Sequence, residues 1–541
     1  MLLAAQPLEA QDDSGASGYA VRGVVTDSVS GQPVPRALVL LNEENAMMTD
    51  GSGGFAFDNV PAGSYSVSVR KPGYMGFGHA GIGLGSFSRF SEQAEQPPRR
   101  IEVGPAMPSL TFRIEPEASI TGQITLSTGD APGGIRVVLL RREMRNGHPH
   151  WQTGGSTATR SDGSFRLGGL APGSYMLCTM ASLDNPGTPA DSQAPIWGYP
   201  PVYYPGVTDP GSAGVLTVGP GQQAEADFTL TRQQFFLVTA AVRTPGPEEA
   251  ANFEILDAGG RPTGFDARYD QRLQVIRTHV PNGTWTLDGH AFGRTMGWGR
   301  AEIQVAGAPL SLAINLSQIP RFPVFIERDF TSGSAQPSPS NPGLGLNLSA
   351  ADQVGGGSGG GGMMPVPGTG DTEWQMMVTE PGRYWVEAFP FPPAYVSSIT
   401  SGGVDLAANP LVIAAGSSPS PIQVTLRDDS GSITGEVSSE AGEAGGAAAP
   451  GEIPQIWVYA IPLFSTTATL PETNLRADGT FALTNLAPGS YRVIACDARR
   501  EIDFHTADGL AAWVGKGQTA TVTAGGSVQV SLDVIHAEAI Q

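Results

Sequence analysis

The stretch NGHPHW (Asn146–Trp151) sets two imidazoles two residues apart beside an indole. His148 and His150 at that spacing could hold iron if two tyrosines joined them. No tyrosine pair precedes them in the same stretch, and RREMRNGHPHWQTGG reads instead as a polar hairpin tip. The other histidines among the seven are His79, His279, His290, His505 and His536, and none of the seven has Glu three residues on. The His-x-x-Glu that a zinc peptidase needs is therefore missing. His505 has Asp508 at that spacing, which supplies two ligands without a third, so a solvated loop is expected there. No Gly-x-Ser-x-Gly lies on a strand-to-helix turn, because helical periodicity is nearly absent. GFGHAGIGLGSF (Gly76–Phe87) precedes no helix and lacks a Lys-Ser/Thr, which leaves phosphate cradling unsupported. The turns TDGSGG and RSDGSF carry too few carboxylates for calcium. No catalytic residue, no metal and no cofactor are expected, and the chain reads as no enzyme.

What remains is aromatic surface. APIWGYPPVYYPGVTDP (Ala194–Pro210) concentrates Trp197, Tyr199, Tyr203 and Tyr204 among prolines. Prolines stiffen such a loop, and aromatic faces suit the C–H faces of sugars or the side chains of a protein partner. These four are the expected ligand-binding residues; the competing reading is that they pack back over an edge strand. KPGYMGFGHAGIGLGSFSRF (Lys71–Phe90) is a second candidate, as an adhesive flap or as packing against the next unit.

The elements that must carry these residues are strands. Of 541 residues only 15% are charged, while 72 Gly and 45 Pro make about a fifth of the chain, and the apolar residues alternate in short runs. Turn-rich alternation indicates an all-β protein too long for one core. A net charge of −20 argues against a nucleic-acid partner. Cys178 and Cys496 lie far apart in the sequence and are expected to remain unbridged. MLLAAQPLEAQDDSG resembles the tail of a secretory signal, which implies a secreted, periplasmic or cell-surface location. No stretch is long enough for a membrane span.

A repeat orders the strands. An apolar residue is followed eight positions later by Gly and ten later by an aromatic: Phe55/Gly63/Tyr65, Phe165/Gly173/Tyr175, Val275/Gly283/Trp285, Trp374/Gly382/Tyr384 and Phe481/Gly489/Tyr491. Successive aromatics are 110, 110, 99 and 107 residues apart, the size of a β-sandwich. The phrase LAPGSY, present at Leu170–Tyr175 and Leu486–Tyr491, is expected to be a hairpin turn, Pro fixing one central position and Gly taking positive φ at the next. Closing strands follow at LTFRI, ADFTL, LAINL, IQVTL and VQVSL, and three copies open on a Gly-centred strand, VRGVV, SITGQI or SITGEV. The expected division is a signal remnant over 1–17, then sandwiches over 18–116, 117–232, 233–320, 321–428 and 429–541. The short junctions suggest beads in contact, and GGGSGGGG (Gly355–Gly362) a mobile hairpin loop.

GQPVPRALVLL (Gly31–Leu41) followed by TDGSGGFAFDNVPAGSYSVSVRKPGY (Thr49–Tyr74) resembles the carboxypeptidase regulatory-like domain family. That resemblance implies a tandem array of about five immunoglobulin-like or transthyretin-like Greek-key sandwiches, related to the carbohydrate-binding-like superfamily. It does not imply peptidase activity. YYPGVTDP and PAYVSSITSGGVDL are similar to segments of large extracytoplasmic bacterial proteins built from such arrays. The expected function is binding of polysaccharide through surface aromatics. The alternative is a structural or adhesive scaffold that contacts envelope or surface proteins. The accessory region of an outer-membrane receptor is disfavoured, since no barrel-length series of strands follows the last repeat.

Overall fold

The computed structural model describes residues 18–75, 99–105, 107–185, 195–244, 246, 250–293, 296–331, 341–352, 354, 360–369, 372–414, 417, 419–438, 456–476, 478–497 and 499–536. Its regular structure is almost entirely strand, as the alternation requires. Among the described residues the buried apolar side chains form five large cores, spanning residues 21–114, 118–230, 196–316, 322–426 and 433–532, here called the first to the fifth. Around the first core two sheets face each other. One holds Gly54–Val60, Tyr19–Asp27 and Leu110–Ile114; the other holds Asn45–Met48, Leu38–Leu41, Gly63–Arg70 and Arg99–Val103.

One closure recurs at every core. The opening strand lies parallel to the closing strand: Tyr19–Asp27 beside Leu110–Ile114, Ala118–Leu126 beside Phe228–Leu230, and Gln233–Arg243 beside Leu310–Asn315. Arg321–Asp329 pairs likewise with Ile422–Arg427, and Gly431–Ser438 with Ser527–Ile535. Glycine centres three opening strands for a steric reason. A Cβ on Gly23, Gly122 or Gly435 would meet both a carbonyl at the closing strand and the ring of the repeat's Phe55, Phe165 or Phe481, its cross-strand partner.

The repeated phrase is not a hairpin. Gly54–Val60 and Gly63–Arg70 belong to opposite sheets, as do Ser164–Leu170 and Gly173–Thr179, so the phrase is an arch there. At Leu486–Tyr491 the flanking strands Thr480–Leu486 and Gly489–Cys496 share one rolled sheet but are separated in it by two strands, again not a hairpin. Gly63 and Gly173 do take positive φ (155° and 156°), but the residue in the left-handed helical region lies four positions before the glycine of each phrase, at Asn59 (φ 59°), Gly169 (φ 70°) and Asn485 (φ 57°). The register of the pairing slips at each of these points, a bulge that re-aims the chain. The aromatic ending the arch then ties it down. Tyr175, Tyr384 and Tyr491 each donate from Oη to the carbonyl four residues upstream (Ala171 2.5 Å, Glu380 2.6 Å, Ala487 2.7 Å), and Trp285 Nε1 does so to Pro281 at 3.2 Å. Each bond contributes about 1 kcal/mol and satisfies a carbonyl that no ladder can reach.

The cores are not beads on a line. Ser182–Leu183 and Ile196–Tyr199 extend the third core's sheet by pairing through Gln233–Phe235. Hydrogen bonds also join residues 242, 321 and 357 positions apart, folding the second, fourth and fifth cores against each other. Both cysteines are buried and free.

Candidate functional site: the aromatic loop and the junctions between cores

The four candidate aromatics do not form one platform. Tyr203 is 1% exposed and offers no face to a ligand. Its hydroxyl donates to Asp257 Oδ2 (2.8 Å) and accepts from Arg261 Nε (3.1 Å), both residues of the third core's sheet connections. Asp257 and Arg261 are themselves buried and paired at 3.3 Å, and Asp257 also accepts from the Gly259 and Arg261 amides. Burial, against the pull of Arg261, holds the Tyr203 hydroxyl above its ordinary range and pushes the neighbouring Cys178 thiol up to about 11. Tyr204 packs edge-on to Phe228 (5.7 Å), and Tyr199 lies half-buried on the second core. Trp197 alone stands out, 38% exposed on Ile196–Tyr199, with the Arg232 guanidinium 4.9 Å from its ring. The loop's centre is thus a strap from the second core to the third.

The His-x-His hairpin is a second strap. Arg136–Arg145 and His148–Ala158 pair across an Asn-Gly turn, with φ of 48° at Asn146 and 79° at Gly147, the positive pair that a two-residue hairpin needs. Its tip is packed, not solvated. His148 lies between Trp385 of the fourth core (centroids 3.8 Å apart, planes 8° apart) and His505 from the segment after the fifth core's Gly489–Cys496 (4.0 Å, 8°). Arg145 Nε bonds Glu387 (3.2 Å), the Met144 amide donates to Glu501 (3.3 Å), and Asn146 Nδ2 donates to the Thr467 carbonyl (3.4 Å). His505 is therefore a stacking residue, and its expected solvated loop is corrected. Burial, reinforced by the His505 ring and opposed by Asp503, lowers the His148 imidazole to about 3. Burial lowers His505 too, against its hydrogen bond to the Asn146 backbone and the field of Asp503.

A third cluster joins the third and fourth cores. Asp288 and His290 on Gly283–Phe292 face Arg300 and Trp298 on Gly297–Val305, and Glu380 enters from the turn before Gly382–Pro390. One ligand atom each from Asp288, His290 and Glu380 lies within 4.8 Å of the others, a donor set that a metal can use. Here the cation is already supplied by the chain. Arg300 Nε bonds Asp288 (2.7 Å) and its Nη2 bonds Glu380 (2.8 Å), while Trp298 Nε1 donates to Asp288 (3.1 Å) and His290 Nε2 lies 2.8 Å from Asp288 Oδ2. Burial works to lower the His290 imidazole, but the bond to Asp288 and the fields of Asp288 and Glu380 outweigh it and raise it.

Elsewhere, a groove of about 800 Å³ runs along Arg321–Asp329, with Phe325, Arg321, Arg328, Glu373 and Trp374 among its walls. His150 lies beside Gln152, and His536 pairs with Asp497 at the surface. His79, Gly76–Phe90, the signal-like residues 1–17 and residues 355–359 of the Gly-rich run fall outside the described residues. Among the described residues no helix is long and apolar enough to cross a membrane.

Residues 20–86 match the carboxypeptidase regulatory-like domain, the family whose pattern Gly31–Tyr74 carries. No curated protein matches the chain. Among solved structures, the Bacillus anthracis TIE protein is 11% identical with a TM-score of 0.18, over 55% of this chain and 50% of its own. A streptococcal ancillary pilin is 10% identical (TM-score 0.19), over 55% of this chain and 99% of its own. BcpA, the major pilin subunit of Bacillus cereus, is 11% identical (TM-score 0.16), over 55% and 99%. The chain thus spans half the length of the first of these.

Proposed function

We propose that this chain is a non-catalytic, extracytoplasmic scaffold of five sandwich units, divided near 117, 233, 321 and 429, whose conspicuous aromatic and histidine motifs hold the units to one another. The observation that carries this reading is Tyr203. It is the centre of the loop best suited to a ligand, yet it is buried and bonded to Asp257 and Arg261 of the next unit. A ligand platform needs exposed, near-coplanar rings, whereas a strap needs a buried ring with a satisfied hydroxyl. The partners of such a scaffold are surface proteins reached through outer sheet faces.

Polysaccharide binding is the second reading. It is supported by two exposed rings, Trp197 and the 57%-exposed Phe325 in the groove with Arg321 and Glu373 nearby. Affinity electrophoresis through soluble polysaccharides separates the two readings, with Trp197→Ala and Phe325→Ala beside the native chain. The scaffold reading expects equal mobility for all three proteins. Retardation of the native chain that either variant loses would replace it with the sugar-binding reading.

A further inference from the structure

We infer that the stack of His148, Trp385 and His505 is an acid-released latch that holds the second unit's hairpin against the fourth and fifth at neutral pH. The inference rests on the folded-back arrangement proposed above and adds a condition under which it opens.

The geometry is three flat rings from three units, face to face, with the central one an imidazole. A glycine makes room for it. Gly147 has left-handed φ, and a Cβ there would collide with the Phe504 and His505 rings. Neutral imidazoles stack without penalty, but two imidazoliums at 4.0 Å repel each other in a site with little water to screen them. The surrounding charges do not relieve this. From the hairpin, Arg141, Glu143, Arg145 and His150 face the junction. The fifth unit's loop adds Arg500, Glu501 and Asp503, and the fourth unit adds Glu387. Most of the acids are already engaged: Glu387 holds Arg145, while Glu501 holds Arg141 and the Met144 amide. Glu143 lies 3.7 Å from Arg141. Asp503 is the carboxylate that favours protonation of both rings, and its Oδ1 and Oδ2 already accept from His505 N, Thr506 N and Thr506 Oγ1. His505 Nε2 has no hydrogen-bond partner among the described residues, and the Asn146 backbone and Asp503, which favour the charged ring, are outweighed by burial. The indole face of Trp385 favours a cation at His148, but it touches only one of the two imidazoles.

Released from the stack, each histidine regains an ordinary value near 6.5. Below that pH the open form binds protons that the closed form refuses. The opening equilibrium therefore rises about tenfold per pH unit for each histidine, and up to about a hundredfold for both. The charged junction at Asp288, His290, Arg300 and Glu380 has no such drive, because protonation of His290 adds a positive charge beside two carboxylates.

The test is the distance between spin labels at Arg142→Cys and Ala507→Cys in the full chain, both exposed positions. The native cysteines are buried, with thiols pushed up to about 11, which directs the label to the new sites. At pH 7.5 a single short distance is expected, of the order of 25 Å from strand geometry. At pH 5.5 a longer, broader population should appear. In a His148→Phe/His505→Phe chain, which keeps stacked rings without titratable groups, the short distance should persist at both pH values. His505→Gln alone should reduce the pH response to that of one histidine. A native chain short at both pH values, or a Phe variant that opens as the native chain does, overturns the latch but leaves the folded-back arrangement standing. A long distance already at pH 7.5 overturns that arrangement and the latch with it.

Discussion

The histidine stack and the Arg300 cluster do the same work with opposite chemistry. Each joins units through a histidine and a residue at or just after an arch, Trp385 at the stack and Glu380 at the Arg300 cluster. At the Arg300 cluster the groups are charged and complementary, with Asp288 and Glu380 sharing one guanidinium. At the stack the groups are flat and neutral, and the flanking Arg145 is half-exposed, at 52% of its side chain. The difference shows that one residue type sets opposite responses according to what faces it. His290 is raised by its carboxylates, whereas His148 and His505 are lowered by burial and, for His148, by its titratable neighbour.

The largest test removes the shared cation. Arg300→Leu leaves two buried carboxylates facing each other and should cost about 3–4 kcal/mol in urea denaturation. The matched change at the other junction, Arg145→Leu, should cost less, about 1–2 kcal/mol, since it strands one buried carboxylate, Glu387, rather than two, and Arg145 itself is half-exposed. Equal losses would erase the distinction. Gly147→Val comes next: left-handed φ and a side chain driven into Phe504 and His505 should cost about 2 kcal/mol and open the stack, detected as the same label distance lengthening at neutral pH.

The pH response sharpens the contrast by its sign. Lowered histidines contribute stability above about 6.5, which is lost as pH falls toward the lowered values, about 3 for His148. Raised His290 contributes below about 6.5, and its contribution is lost as pH rises through the raised value. Between pH 7.5 and 5.5 the native chain should therefore lose up to about 2–3 kcal/mol of stability relative to His148→Phe/His505→Phe, where two histidines add, and gain roughly 1 kcal/mol relative to His290→Gln. Changes of the same sign in both comparisons would show that the two environments are not opposed. Smaller still, Tyr384→Phe and Tyr491→Phe should each cost about 1 kcal/mol by freeing an arch carbonyl. Only Tyr384→Phe should also loosen the Arg300 cluster, because the carbonyl it holds belongs to Glu380.

The frame of this arrangement could be read from the sequence, while the junctions could not. Alternation and the Phe/Gly/aromatic spacing are local, and they located strands, arches and the closing strands. The arch reads as a hairpin in the sequence because Pro-Gly fits both, and nothing in six residues says which sheet the next strand will join. Asn59, Gly169 and Asn485 were the available signal, since Asn and Gly tolerate left-handed φ. The charged junction residues Asp257, Arg261, Glu380 and Arg300 were missed because burial of a charge depends on a unit distant in sequence. One cue was present in the return strands. Outward positions one, three or five after the arch aromatic carry Met176, Cys178, Trp385, Ile494 and Cys496, side chains that are out of place on a solvated face. In the structure Met176, Cys178, Ile494 and Cys496 are buried in small outer clusters, while Trp385 is stacked on His148.

Small-angle X-ray scattering of the whole chain at neutral pH tests most directly whether these side chains fold the units back on one another. Five units of about 30 Å set in a line would give a maximum dimension near 150 Å. Contacts joining the second, fourth and fifth predict a value well below that, about 100 Å. A maximum dimension at or beyond the in-line length would contradict the account, returning the chain to separate beads and the aromatic loop to a surface free for ligand.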